Sequence, residues 1–147
     1  TGPARGYYDE DHVKALNSRV EKLLQEEANA HLDAVFYSPY LETGVVEEYA
    51  KATNCRKPGT GMIEAACQQF PEIDLSCSYV LGDKATDVAF AHNAGCYGIL
   101  LKTGYGEEVL AGTYQELKSQ PDYVGDEIYD AIQHIFVRDG QLAETCT

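Results

Sequence analysis

Tyr79-Val80-Leu81-Gly82-Asp83-Lys84-Ala85-Thr86-Asp87 is the stretch that decides how this chain is read. An apolar run ends in Gly-Asp, and a second Asp follows at the start of a helical pattern. An open α/β sheet binds its ligands just beyond the carboxyl ends of its strands. A carboxylate at such a tip is a natural ligand for a hard divalent cation. A lysine beside it is a natural phosphate contact. A second charged cluster, Cys55-Arg56-Lys57-Pro58, lies upstream. Together the two clusters point to a magnesium-dependent site for a phosphorylated ligand.

Working outward, Ser78 to Leu81 reads as a strand and Lys84 to Ala94 as a helix. Asn93-Ala94-Gly95 reads as the helix end, with Gly95 free to take positive φ. Tyr97 to Leu101 is apolar throughout, as a strand covered on both faces should be. Thr103-Gly104-Tyr105-Gly106 reads as a turn, Thr113 to Lys118 as a short helix, Asp122 to Val124 as a strand and Asp126 to Val137 as a last helix. Toward the start, Asp9 caps a helix running to Asn29, with Val13, Leu16, Val20, Leu23 and Leu24 at helical spacing. Asp33 to Tyr37 reads as a short buried strand. Ser38 to Asn54 reads as a long loop with a helical turn at Val45 to Lys51. Pro58 to Phe70 reads as an amphipathic helix. Strands alternating with helices predict an α/β chain with a mostly parallel sheet. The expectation is one domain over residues 1–147.

The chain has 147 residues, enough for a real core. Its net charge of -13 argues against a nucleic-acid surface, which needs clustered Lys and Arg. Local cations and a divalent metal can still hold a phosphate inside an acidic protein. The five cysteines (Cys55, Cys67, Cys77, Cys96 and Cys146) include no Cys-x-x-Cys pair and read as reduced thiols of a cytoplasmic protein. No stretch is long enough to span a membrane, and no signal peptide is visible. From the residues alone, other readings stay open. Acids favour helix N-termini, so Asp83 and Asp87 also suit a plain helix start. Arg56 and Lys57 also suit an exposed charge pair.

The motifs taken in order resemble a known family. They are Ala4-Arg5-Gly6-Tyr7-Tyr8, then Cys55-Arg56-Lys57-Pro58 with Gly61-Met62, then Val80-Leu81-Gly82-Asp83-Lys84 with Asp87, then Ala94-Gly95-Cys96 and Lys102-Thr103-Gly104-Tyr105-Gly106. This series resembles the D,D-heptose 1,7-bisphosphate phosphatase and histidinol-phosphatase branch of the haloacid-dehalogenase-like superfamily, over Thr1 to Gly106. The resemblance implies a Rossmann-like sheet flanked by helices and a phosphoryl transfer to an aspartate, followed by hydrolysis. It implies that Lys57 neutralises the transferring phosphoryl oxygens and that Arg56 holds the substrate. Asp83 is implied as a Mg²⁺ ligand, and Asp87 as a ligand or an orienting group. Lys84 is implied at the substrate phosphate. Thr1 matches a Ser of a substrate-contacting segment, and Arg5 is implied as a substrate contact or a loop anchor. Arg56 and Lys57 are implied to close around the ion at Asp83.

The chain departs from the family pattern twice. The first motif, Asp-x-Asp-Gly-Thr, which supplies the nucleophile, does not occur, and Asp9-Glu10-Asp11 opens a helix instead. The expectation is that residues 1–147 alone are inactive and lack the central strand. That strand would come from a preceding segment, or the fragment would self-associate through the exposed sheet edge, the intact family being monomeric. Second, only Cys55 remains of the Cys/His zinc loop that many relatives carry, so no zinc is expected. The implied substrate is a small sugar phosphate, foremost the heptose bisphosphate. The alternatives are histidinol phosphate or a non-catalytic binding or assembly module.

Overall fold

The computed structural model describes residues 1–141, so Cys146 lies outside the described residues. These residues cluster into two compact units, divided between Pro71 and Glu72.

The first unit is helical and looped. Helix α1 spans Glu10–Ala28; Asp9 caps it by accepting the His12 N–H at 2.8 Å, and Asn29 ends it in the left-handed region at φ 49°. Helix α2 spans Gly61–Gln69, starting later than Pro58 because the preceding residues form a bonded turn. The predicted strand at Asp33 to Tyr37 does not form, and Val35 and Phe36 are exposed. An apolar run becomes a strand only against a neighbouring strand, and the described residues of this unit contain none. The segment 38–54 is a loop as expected, but Val45 to Lys51 forms turns and bends rather than a helical turn. The loop is tied back by the Val45 and Val46 amides, which both donate to the Ala4 carbonyl, at 2.7 and 3.1 Å.

The second unit carries the sheet. Strands β1 (Tyr79–Gly82), β2 (Tyr97–Leu101) and β3 (Tyr123–Gly125) pair in parallel in the order β1-β2-β3. Helix α3 (Ala85–Ala94) connects β1 to β2, a short helix α4 (Gly106–Leu110) follows β2, and α5 (Ile128–Arg138) follows β3. This is the expected parallel α/β arrangement, with β1 and β3 as its edges among the described residues. Right-handed crossovers in a sheet of this order put both connections on one face. The core agrees: Ala85 and Val88 of α3, Leu100 of β2 and Val109 of α4 form one buried cluster, with Leu117 packed against it. Leu100 is fully buried, so Leu100→Ala should cost about 2–5 kcal/mol. The expected helix at Thr113 to Lys118 is absent. Leu117 reaches the core from irregular backbone, and the helical turn falls earlier, at α4.

Each strand begins on a tyrosine and is followed by a charged residue. At the amino end, Tyr79 and Tyr97 meet edge to face, and His134 stacks on Tyr123 at 3.7 Å. Arg138 lies 4.1 Å from the Tyr97 ring centroid and donates to Tyr79 Oη at 2.8 Å. Asp122 locks the entry to β3 by accepting the Gly98 N–H at 2.7 Å and pairing with His92 Nε2 at 2.9 Å. His92 Nδ1 meets Ser119 Oγ at 2.8 Å, which fastens the irregular segment before β3 to α3. His92 and His134 thus tie helices α3 and α5 to the amino end of the sheet.

Burial pushes the Asp122 carboxyl up, but the Gly98 N–H and then His92 outweigh it and hold the group below the usual carboxylate range. A depressed folded value means the stabilisation is present above the unfolded value, near 4, and is lost as pH falls through the folded one. Asp122→Asn should therefore lower stability at pH 7 and flatten the loss below about pH 4. Urea unfolding from pH 7 to pH 2 checks this; an acid limb as steep as that of the native chain would refute it.

Candidate active site

The site residues of the second unit are set by the turn between β1 and α3. Lys84 is the N-cap of α3, and its N–H donates to Asp87 Oδ2 at 3.1 Å. Asp87 is only 4% exposed, so this carboxylate sits in the protein and holds the turn closed. A buried charge needs hydrogen bonds to persist, and a helix N-terminus supplies both bonds and a favourable dipole. Gly82 makes the arrangement possible, because a Cβ there would collide with the Asp87 carboxyl group. The Gly-Asp signature thus has a steric origin.

Asp83 and Lys84 are half-buried at the strand tip. Asp83 Oδ2 accepts the Tyr105 N–H at 3.1 Å. The loop giving that bond turns at Gly104, whose φ is 67°, and a Cβ at Gly104 would strike the Asp83 carboxylate. The loop read from sequence as a plain turn therefore also fixes Asp83. Gly-x-Gly after a strand was the available signal; the carboxylate it would meet was not legible. Lys102, at the tip of β2, donates to Asp126 Oδ1 at 2.5 Å, while the Lys84 ammonium lies 4.8 Å from the Tyr105 ring centroid.

In the first unit, Arg56 is half-buried and Lys57 exposed. Their turn is bolted by Asn54, which the sequence reading did not single out. The Asn54 carbonyl accepts the Gly61 N–H at 2.9 Å, its Oδ1 accepts the Thr60 N–H at 3.1 Å, and its Nδ2 donates to Glu64 at 3.0 Å. The Gly59 N–H closes the turn onto the Arg56 carbonyl at 2.8 Å. The Lys57–Pro58 peptide bond is cis. Thr1 is half-buried and Arg5 exposed, both in the first unit with Arg56. Asp83, Lys84 and Asp87 belong to the second unit.

For a divalent cation the donor chemistry fits. Mg²⁺ is commonly held by one or two carboxylates, with water and substrate phosphate completing the shell. Asp83 and Asp87 are hard oxygen donors of that kind. No group of three or more His, Cys, Asp and Glu able to hold a metal exists among the described residues, so a cage of protein ligands alone is not offered. Cys55, Cys67, Cys77 and Cys96 form no disulfide.

A family model described as HAD-hydrolase-like matches residues 54–131, more than half of the chain. A D-glycero-D-manno-heptose-1,7-bisphosphate 7-phosphatase of Thermosynechococcus vestitus is 51% identical over 138 residues, covering 92% of this chain and 69% of that protein. The chain belongs to the haloacid-dehalogenase-like hydrolase family.

The enzyme of the same name from Chlorobaculum tepidum is 33% identical over 89% of the chain, which spans 66% of that protein. Among solved structures, a D,D-heptose 1,7-bisphosphate phosphatase from B. bronchiseptica, complexed with magnesium and phosphate, superposes with a TM-score of 0.76 at 25% identity. It covers 93% of this chain and 70% of that one. The branch of the haloacid-dehalogenase-like family that the motifs resemble is the one whose members these relatives are, and the sheet is of the haloacid-dehalogenase type.

Two glycines provide a controlled test of the loop. Gly104→Ala and Gly112→Ala both place a side chain at positive φ, 67° and 71°, but only the first meets a neighbour. Each should lose about 1 kcal/mol or more to backbone strain, with Gly104→Ala losing distinctly more. Denaturant unfolding of the pair measures the difference. Equal losses would show that nothing approaches Gly104 closely.

Proposed function

We propose that the protein hydrolyses a small sugar phosphate, foremost D-glycero-D-manno-heptose 1,7-bisphosphate, as a Mg²⁺-dependent phosphomonoester hydrolase with an aspartyl-phosphate intermediate. The observation that carries the reading is the Gly82-Asp83-Lys84 strand tip with Asp83 fixed by the Tyr105 amide, in a chain 51% identical to a heptose-bisphosphate phosphatase. Asp83 is assigned as the metal ligand, with Asp87 binding beside it or orienting it through the turn. Bound Mg²⁺ would neutralise developing charge on the phosphoryl oxygens. Lys84 is assigned to the substrate phosphate. Lys57 is assigned to the transferring oxygens and Arg56 to substrate recognition, for which its planar fork suits a phosphate. Thr1 and Arg5 are assigned to the substrate.

The reaction needs a nucleophilic aspartate, and no Asp-x-Asp-Gly-Thr occurs in residues 1–147. The reading therefore treats these residues as one haloacid-dehalogenase-like domain that acts together with a nucleophile segment. The setting is a cytoplasmic one, without nucleic-acid or membrane partners. No helix among the described residues is long and apolar enough to cross a membrane.

A phosphatase screen of the full-length protein tests the reading, with heptose bisphosphate and histidinol phosphate side by side and residues 1–147 alone as a third sample. The full-length protein should release phosphate from the heptose bisphosphate in a Mg²⁺-dependent manner, and the isolated residues should not. Asp83→Asn should lower turnover by a factor on the order of 100 or more. Unchanged turnover would remove Asp83 from the metal, and preference for histidinol phosphate would replace the substrate.

A further inference from the structure

Tyr105 touches two of the charges assigned above in two different ways. Its backbone N–H donates to Asp83 Oδ2 at 3.1 Å, and its ring centroid lies 4.8 Å from Lys84 Nζ. The ring is itself held, because Tyr114 stacks on it with centroids 4.4 Å apart and planes 12° from parallel. Both tyrosines remain about half exposed, so core burial does not explain their order. The stacked pair contributes its own attraction, which offsets the entropy of fixing the two rings at the surface.

What holds Lys84 matters for an anion. The chain carries 24 acidic residues against 11 basic ones, so a carboxylate partner is the ordinary fate of a lysine here. Lys102 has met that fate, paired with Asp126. Among the described residues Lys84 has instead an aromatic face, which attracts an ammonium through its quadrupole without cancelling its charge. A cation held this way is positioned and still able to meet a phosphate.

We propose that Tyr105 is a positioning residue of the phosphatase site: its ring aims Lys84 at the substrate phosphate with the charge intact, while its amide fixes the Asp83 carboxylate. The inference rests on the reading of Asp83 and Lys84 given above. It adds a residue that acts through both.

Tyr105→Phe and Tyr105→Leu in the full-length protein separate the ring from the amide, which both variants keep. The first readout is the NMR shift of the Lys84 ε-methylene protons, which a ring at this distance displaces upfield. The displacement should persist in Tyr105→Phe and vanish in Tyr105→Leu. The second is calorimetric binding of inorganic phosphate at saturating Mg²⁺. Tyr105→Leu should weaken it about two- to fivefold, Tyr105→Phe should leave it near native, and Mg²⁺ affinity should hold in both. An undisplaced methylene signal in the native protein, or native phosphate affinity in Tyr105→Leu, would overturn the proposal. A native protein that binds no phosphate would instead bring down the phosphatase reading, and the methylene signal would still decide whether Tyr105 positions Lys84.

Discussion

The hydrogen bond from the Lys84 amide to the Asp87 carboxylate, 3.1 Å long, is the constraint on which the strand tip depends. It ends β1, begins α3 and commits a nearly buried carboxylate to a structural duty at a helix N-terminus, where the dipole favours it. Gly82 follows from it, since no side chain fits against Asp87 there. The short spacing from Gly82 to Asp87 is therefore a mechanical unit. One residue gives room, one closes the turn, and Asp83 and Lys84 between them are left to the loop beyond β2.

That loop shows how an acidic chain can keep a usable cation. The residues after β1, β2 and β3 are Asp83, Lys102 and Asp126, so charge gathers at the strand tips. Lys102 and Asp126 neutralise each other across the tips of β2 and β3. Among the described residues Lys84 meets no carboxylate in an ion pair, and Tyr105, in the loop after β2, offers it a ring. The positive φ of Gly104 brings the Tyr105 amide to Asp83, so the chain reversal that fixes the acid also delivers the ring.

Much of this was legible in the sequence where local and long-range preferences agree. The β2 boundaries, the left-handed Gly95 and the capped ends of α1 follow from residues acting on their immediate neighbours. The errors fall where a partner decides. Asp33 to Tyr37 has the composition of a strand but no strand beside it within its unit. Thr113 to Lys118 lost its helix because the core recruits only Leu117 from it, whereas Gly106 to Leu110 gained one by burying Val109. At the site, Asp83, Lys84 and Asp87 were legible from the strand-end rule. Asn54, Gly104 and Tyr105 were not, because each acts through hydrogen bonds or close approaches that span a turn or reach another strand.

The two aspartates are chemically alike, and their surroundings divide the labour between them. Asp87 is nearly buried, and its Oδ2 is committed to the turn, so moving it toward an ion would loosen the start of α3. Asp83 is half-buried and accepts the Tyr105 N–H on Oδ2. An ionised carboxylate has about four lone-pair sites, so one such bond leaves capacity for a cation while fixing the direction in which the group points. A ligand held by a backbone amide loses little freedom when the ion arrives, which favours binding. On these grounds Asp83 is the better candidate for direct coordination and Asp87 for its support, a distinction that the spacing of the two residues alone could not make.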